Sequence, residues 1–249
     1  MAGHSHWANI KRKKEAVDAK RGKIWTKCSK AITVAAQLGG GDPAANPRLR
    51  LAITDAKSAR MPNDTIDRAI KKGTGEGKGD AFEEIVYEGY GPAGVAVMVD
   101  VLTDNRNRTA PELRKLFDTH GGNLGAAGCV AWNFDRKGVF HLPADNTTEE
   151  QLLEVALEAG AEDIQREEES FRVTCEPEVY SDVQEALEAA GIEVENSSVS
   201  RVPKDVIEVT GDDARKLMHL LSALDDHDDV QGVSANFSIP DAEMAEIDG

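Results

Sequence analysis

The stretch VFHLPADNTTEEQLLEVALEAGAEDIQREEESFRVTCEPEVYSDVQEALEAAGIEVENSSVSRV, residues 139–202, decides how this chain folds. Apolar residues recur at helical spacing over 148–159 and again over 178–190, and Gly160 and Gly191 stop the two helices. Around them, residues 137–142, 162–165, 171–175 and 192–199 read as strands, rich in β-branched or alternating apolar positions. The order is therefore βαββαβ, the ferredoxin-like arrangement. The helix faces that carry Glu149, Glu150, Glu154 and Glu158 read as solvated.

On either side of this module lie pieces of another domain. Residues 84–87 and 95–102 read as strands before it; after it come a strand at 206–209, a helix at 214–224 and a strand at 230–237. The module is thus an insertion. We expect an α+β chain of three domains: a basic N-terminal tail and helical bundle at 1–75, a discontinuous α+β domain at 80–138 plus 204–240, and the inserted acidic ferredoxin-like domain at 139–203. In the middle domain Thr109 and Glu112 have capping-box spacing and Pro111 fits a first helical turn, so a helix is expected to start there with Leu113, Leu116 and Phe117 inward. The run HGGNLGAAG, 120–128, has no periodicity and reads as flexible; residues 128–134 and 137–142 look like a hairpin turning at Asp135-Arg136.

The N-terminal region is helical. Trp25, Cys28, Ala31, Ile32 and Ala35 form an apolar stripe from Ile24 onward, while Lys20, Lys23, Lys27 and Lys30 recur on another face. Gly39-Gly40-Gly41 ends that helix. Asn46-Pro47 starts a second, which buries Leu49, Ala52, Ile53 and Ala56, and Met61-Pro62 precedes a third with Ile66, Ala69 and Ile70 inward. Three short helices with short connections make a small bundle. The run GTGEGKGD, 73–80, reads as a linker; a P-loop would need Gly where Lys72 stands.

Charge separates along the chain. The first thirty residues hold nine lysines and arginines against Glu15 and Asp18, and the first eighty hold 17 basic and 8 acidic side chains, within a protein of net charge −16. The remainder therefore carries 12 basic and 37 acidic side chains. A chain this acidic is repelled by a polyanion unless its cations are gathered in one place, so nucleic acid is the expected partner. The candidate binding residues are Lys11, Arg12, Lys13, Lys14, Lys20, Arg21, Lys23, Lys27 and Lys30. To these we add Asn105, Arg106, Asn107 and Arg108, donor-bearing side chains expected on the loop just ahead of a helix N-terminus, a candidate anion site.

Other chemistry finds no pattern. Gly89, Gly91 and Gly94 match GxGxxG but lead into the strand-like VAVMVDVL instead of a helix, which the dinucleotide fingerprint does not allow. His4 and His6 lack partners at zinc-ligand spacing. The cluster Asp225, Asp226, His227, Asp228 and Asp229 lacks the glycine and terminal glutamate of a calcium loop and reads as a carboxylate-rich turn. No GxSxG, HExxH or CxxC is present, so no catalytic residue, cofactor, metal or small-molecule substrate is expected. Cys28, Cys129 and Cys175 are odd in number and read as reduced thiols. No run nears the ~18 apolar residues of a membrane span, and the expected location is the cytoplasm.

Five strings carry a resemblance: MAGHSHWANIKRKKEAVDAKRGKIWTK (1–27), MPNDTIDRAIKKG (61–73), YEGYGPAGVAVMVDVLTDNRNRT (87–109), HGGNLG (120–125) and FDRKGVF (134–140). The chain resembles the YebC family, which includes the mitochondrial translational activator of cytochrome c oxidase. The resemblance covers nearly the whole chain and departs from the family locally, at GAAGCVAWNF. It implies three domains with a ferredoxin-like insertion. It further implies a cytoplasmic, non-enzymatic regulator of gene expression, described either as a DNA-binding transcriptional regulator or as a ribosome-associated translation factor. Because Lys20, Lys23, Lys27 and Lys30 are phosphate-type contacts and not base readers, the expected partner is ribosomal RNA and the ribosome, with DNA as the alternative and a metal-dependent nuclease as a distant third.

Overall fold

The structure, a computed structural model, describes residues 18–75, 82–167, 170–240 and 243–244. The fold is α+β and divides into two compact units, Trp132–Val206 and the remainder. The tail at 1–17 and most of the 73–80 linker lie outside the described residues.

The larger unit begins with a three-helix bundle, α1 (Asp18–Gly39), α2 (Pro47–Ser58) and α3 (Asn63–Gly73). Its core is the expected stripe: Ile32, Ala35 and Ala36 meet Leu49, Ala52, Ala56, Met61, Ile66 and Ala69, with Trp25, Cys28 and Ala31 packed against them. Asn46 does two jobs. Its side-chain oxygen caps α2 by accepting the Leu49 N–H at 3.0 Å, and its amide donates back to the carbonyls of Ala35 and Gly40 at 2.8 and 2.9 Å. Gly73 lets α3 approach α1, since a Cβ there would stand 2.3 Å from the Thr33 carbonyl oxygen.

The bundle is followed by β1 (Glu83–Tyr90) and β2 (Ala96–Thr103), then α4 (Arg106–Thr119) and β3 (Asn123–Leu124). The glycine-rich GYGPAG joins β1 to β2 as a hairpin, with the Gly91 N–H donating to the Val95 carbonyl at 2.8 Å. It leads into a strand, as its sequence context required. After the module, β8 (Ile207–Glu208), α7 (Gly211–Asp225), β9 (Val230–Ala235) and β10 (Phe237–Ser238) complete the domain. The sheet order is β3-β1-β2-β9, antiparallel throughout, and β10 pairs with β8 in parallel. Val95, just ahead of β2, and its alternate residues Val97, Val99 and Val101 share one core with Leu113 and Phe117 of α4 and Leu217, Leu220, Leu221 and Leu224 of α7.

Three local expectations are corrected here. Helix α4 starts at Arg106, capped by Asn105, whose side chain accepts the Arg108 N–H at 3.2 Å. Thr109 is no cap because its buried hydroxyl is committed elsewhere, and Pro111 falls inside the helix, leaving the Asn107 carbonyl without its usual i+4 donor. The strand expected at 230–237 breaks at Asn236. This buried side chain accepts the Ala96 N–H at 2.6 Å and thereby redirects the chain from one sheet to the other. The run at 120–128 is ordered, for reasons given below.

The smaller unit contains β4 (Phe134–Pro143), α5 (Glu149–Glu158), β5 (Ala161–Arg166), β6 (Ser170–Cys175), α6 (Tyr180–Ala189) and β7 (Asn196–Pro203). Its sheet order β5-β6-β4-β7, all antiparallel, is the ferredoxin-like topology. The hairpin expected at Asp135-Arg136 is absent: β4 runs straight through, with Asp135 opposite Val202 and Arg136 opposite Arg201. Arg136 does not favour the positive φ that the second position of a tight hairpin turn demands. The last strand lies four residues later than expected. Gly191, at φ +69°, ends α6, and the Ile192 N–H donates to the Leu187 carbonyl at 3.0 Å, so that Ile192 plugs the core as part of the helix cap. Phe140 stacks on Tyr180 with ring centroids 4.8 Å apart, within a core that also holds Leu152, Phe171, Val173 and Leu187, and burial pushes the Cys175 thiol up to about 11.

A module with its own core and closed hydrogen-bond pattern is expected to be separable. Replacing Trp132–Val206 by a flexible Gly/Ser linker should leave the rest of the chain with a cooperative thermal melt; a chain that no longer melts cooperatively would show that the two units fold only together.

Candidate nucleic-acid interface

Lysines at spacings of four and three on a helix share a face. On α1, Lys23, Lys27 and Lys30 do so, and the segment that follows α7 meets them. The Lys23 ammonium donates to the Asp226 carbonyl at 3.1 Å, Lys27 donates to the Asp225 carbonyl and stands 3.6 Å from the Asp225 carboxylate, and Lys30 donates to the Asp228 carbonyl at 2.9 Å. Asp225 and Asp226 end α7, where carbonyls lack helical partners and the helix dipole is negative. Two cations therefore close the helix end, and the third holds the turn that follows it.

The innermost contact is to Asp229, only 2% exposed. One carboxylate oxygen accepts from Lys30 at 2.6 Å; the other accepts from Arg108 at 2.8 Å, Thr109 at 2.7 Å and Thr103 at 3.2 Å. Each threonine hydroxyl has one proton to give. The Thr103 oxygen in turn accepts the Asn105 N–H at 3.0 Å, which seats the cap of α4. The Asp229 N–H donates to His227 Nδ1 at 3.1 Å, leaving the proton of the neutral ring on Nε2, 3.0 Å from the Glu112 carboxylate. Burial raises the Asp229 pKa, but hydrogen bonds from Lys30, Arg108 and Thr109 outweigh it and hold the group well below the usual carboxylate range.

The two sets of candidate residues thus converge, but on a carboxylate of the chain itself. Arg108 also reaches Asp104 at 3.2 Å, and its charged form is stabilised chiefly by the Asp229 hydrogen bond. Asn105 is the helix cap. Arg106 and Asn107 stand exposed on the first turn of α4, inside the helix and not on a loop ahead of it, next to N–H groups that no helical carbonyl satisfies. Lys20 and Arg21 lie on α1. Lys11, Arg12, Lys13 and Lys14, together with His4, His6 and Trp7, lie outside the described residues. Among the described residues no group of His, Cys, Asp and Glu is placed to hold a metal ion, and no helix is long and apolar enough to cross a membrane.

A second buried carboxylate explains the ordered glycine-rich run. Glu88 of β1, 7% exposed, accepts the N–H groups of Gly128, Val130 and Ala131 at 2.7, 2.9 and 2.9 Å, and its own carbonyl accepts the Gly125 N–H at 2.8 Å. Tyr90 adds a bond from its hydroxyl to the Cys129 carbonyl at 3.0 Å. Sequence reasoning missed both hubs. Asp229 lay in a recognised acidic cluster, but no spacing distinguishes the buried aspartate from its exposed neighbours; Glu88 fell between the strand expected at 84–87 and the glycine-rich turn, with nothing to mark it.

Residues 5–76 match the model of the TACO1/YebC protein N-terminal domain, and residues 82–237 match that of the TACO1/YebC second and third domain. The chain belongs to the TACO1/YebC family. Its relatives include proteins of Maridesulfovibrio salexigens, 56% identical over all of both chains, and of Desulfatibacillum aliphaticivorans, 54% identical over 99% of this chain and all of the relative. Both are named "Probable transcriptional regulatory protein". Among solved structures, a conserved hypothetical protein of Aquifex aeolicus, Aq1575, matches with a TM-score of 0.81 and 51% identity over 90% of this chain and 92% of that one. The TACO1/YebC assignment therefore spans the bundle, the middle domain and the insertion alike.

Asp229 sets a stability test. Asp229→Ala strands the Lys30 charge in a half-buried site and should cost about 3–5 kcal/mol, read by chemical denaturation. Because the folded pKa is depressed, the wild-type contribution is full above the unfolded carboxylate value of about 4 and is lost as the pH falls below it toward the folded value, so the wild-type and variant stabilities should converge in acid.

Proposed function

We propose that this TACO1/YebC-family chain is a non-enzymatic, cytoplasmic regulator of gene expression that works by binding nucleic acid. The observation that carries the reading is the segregation of charge: 17 basic side chains lie in the first eighty residues of a protein whose net charge is −16. Such a chain attracts a polyanion through its N-terminal region and repels it through the rest. With Lys23, Lys27, Lys30 and Arg108 engaged by aspartates, the cations offered first to phosphates are those of the tail, Lys11, Arg12, Lys13 and Lys14, continued by Lys20 and Arg21. Arg106 and Asn107, at the open first turn of α4, make a further phosphate contact.

The names of the relatives favour DNA as the ligand and transcription as the process. A second reading, structured ribosomal RNA and a role in translation, is favoured by the kind of cation present: lysines that contact phosphates without reading bases suit recognition by shape. In both readings the acidic module adds no attraction for the polyanion, and its glutamates suit contacts with a basic protein surface or with solvent.

Anisotropy titrations against a short DNA duplex and a ribosomal RNA hairpin over a salt series test the proposal. Alanine at Lys11, Arg12, Lys13 and Lys14 should flatten the slope of log affinity against log salt by roughly 0.7–0.9 for each phosphate that is no longer neutralised. An unchanged slope with intact affinity would remove the tail from the interface. Duplex preference assigns the chain to DNA; hairpin preference, together with sedimentation on ribosomes after nuclease removal of DNA, assigns it to RNA.

A further inference from the structure

We propose that the acidic turn at residues 225–229 is a built-in phosphate mimic, which masks the lysine face of α1 and is displaced from its outer part when that face takes up a nucleic-acid backbone. The proposal rests on the nucleic-acid-binding reading and adds to it a competitor carried by the chain.

The ligands of the three lysines are what a phosphate backbone would supply, a row of anionic or strongly dipolar oxygens. Lys23 sits on the Asp226 carbonyl, Lys27 on the carbonyl and near the carboxylate of Asp225, and Lys30 on the Asp228 carbonyl and the Asp229 carboxylate. The contacts are graded. At the inner end the Lys30 side chain is 15% exposed and the Asp229 side chain 3%, so that pair is shielded and fixed. At the outer end Lys23 is exposed and donates to a backbone carbonyl, a bond open to exchange with dissolved ions. Displacement therefore runs from Lys23 to Lys27 and stops at Lys30.

The remaining side chains of the turn point to the same role. Asp226 and Asp228 are largely open to solvent, and their bonds to the lysines are made by carbonyl oxygens. Their carboxylates add negative charge beside the cationic face without holding it. They attract the lysines through space and repel an incoming phosphate, so the turn competes with phosphate by occupancy and by repulsion.

The test uses the full chain and separates charge from contact. Asp225→Asn, Asp226→Asn and Asp228→Asn together should raise affinity for the short duplex or the hairpin about tenfold at low salt and steepen the salt slope by roughly one to two neutralised phosphates, because the backbone carbonyls that remain hold Lys23 and Lys27 without the carboxylate charge that repels phosphate, and phosphate then displaces them. The same triple change in a Lys23→Ala, Lys27→Ala background should abolish that gain. Neutralising Glu150, Glu154 and Glu158 to Gln in the module controls for net charge and should give a much smaller effect with no change in slope. Unchanged melting of the Asp226→Asn, Asp228→Asn double variant confirms that the fold is intact. A gain that survives the lysine substitutions, or no gain where the wild type binds, overturns the mimic and leaves the nucleic-acid reading standing; absence of binding by every variant at low salt overturns both.

Discussion

The burial of the Asp229 carboxylate is the constraint on which the larger unit turns. A charge removed from water must be met by donors of fixed geometry, and the four that meet it come from three places: Lys30 from the bundle, Thr103 from the end of β2, and Arg108 and Thr109 from the first turns of α4. One side chain therefore fixes how the bundle, the sheet and α4 stand toward the turn between α7 and β9. The same bonds explain why α4 begins at Arg106: with Thr109 turned inward, the cap falls to Asn105, and the Thr103 hydroxyl that accepts the Asn105 N–H is itself part of the network.

Glu88 solves the same problem with different donors. It receives backbone N–H groups from Gly128, Val130 and Ala131, so a segment with few large side chains of its own is given a shape by a carboxylate from the neighbouring strand. The two hubs differ in consequence. Asp229 brings together residues separated by nearly two hundred positions in the chain; Glu88 orders a loop beside its own strand and leaves Ala126, Ala127 and Gly128 exposed on its surface.

Charge segregation then acquires a structural meaning. Part of the N-terminal cationic stripe is consumed in folding, where it closes the negative end of α7, and the basic run of the sequence continues beyond it toward the N-terminus.

What the sequence determined by itself are the features set by periodicity and local chemistry. These include the apolar stripes of the bundle, Asn46 ahead of Pro47, the βαββαβ order of the module with Gly160 and Gly191 as stops, and the strand after GYGPAG that excludes a dinucleotide fingerprint. Each follows from residues a few positions apart, where the backbone has few choices. Tertiary structure alone decided the start of α4, the straight course of β4 through Asp135-Arg136, the late start of β7, and the partners of Lys30, Arg108, Glu88 and Asp229. A lysine or an aspartate looks the same in sequence whether it faces water or a buried opposite charge; only the packing that removes water from Asp229 separates it from Asp226 and Asp228, because desolvation is a property of place and not of residue type.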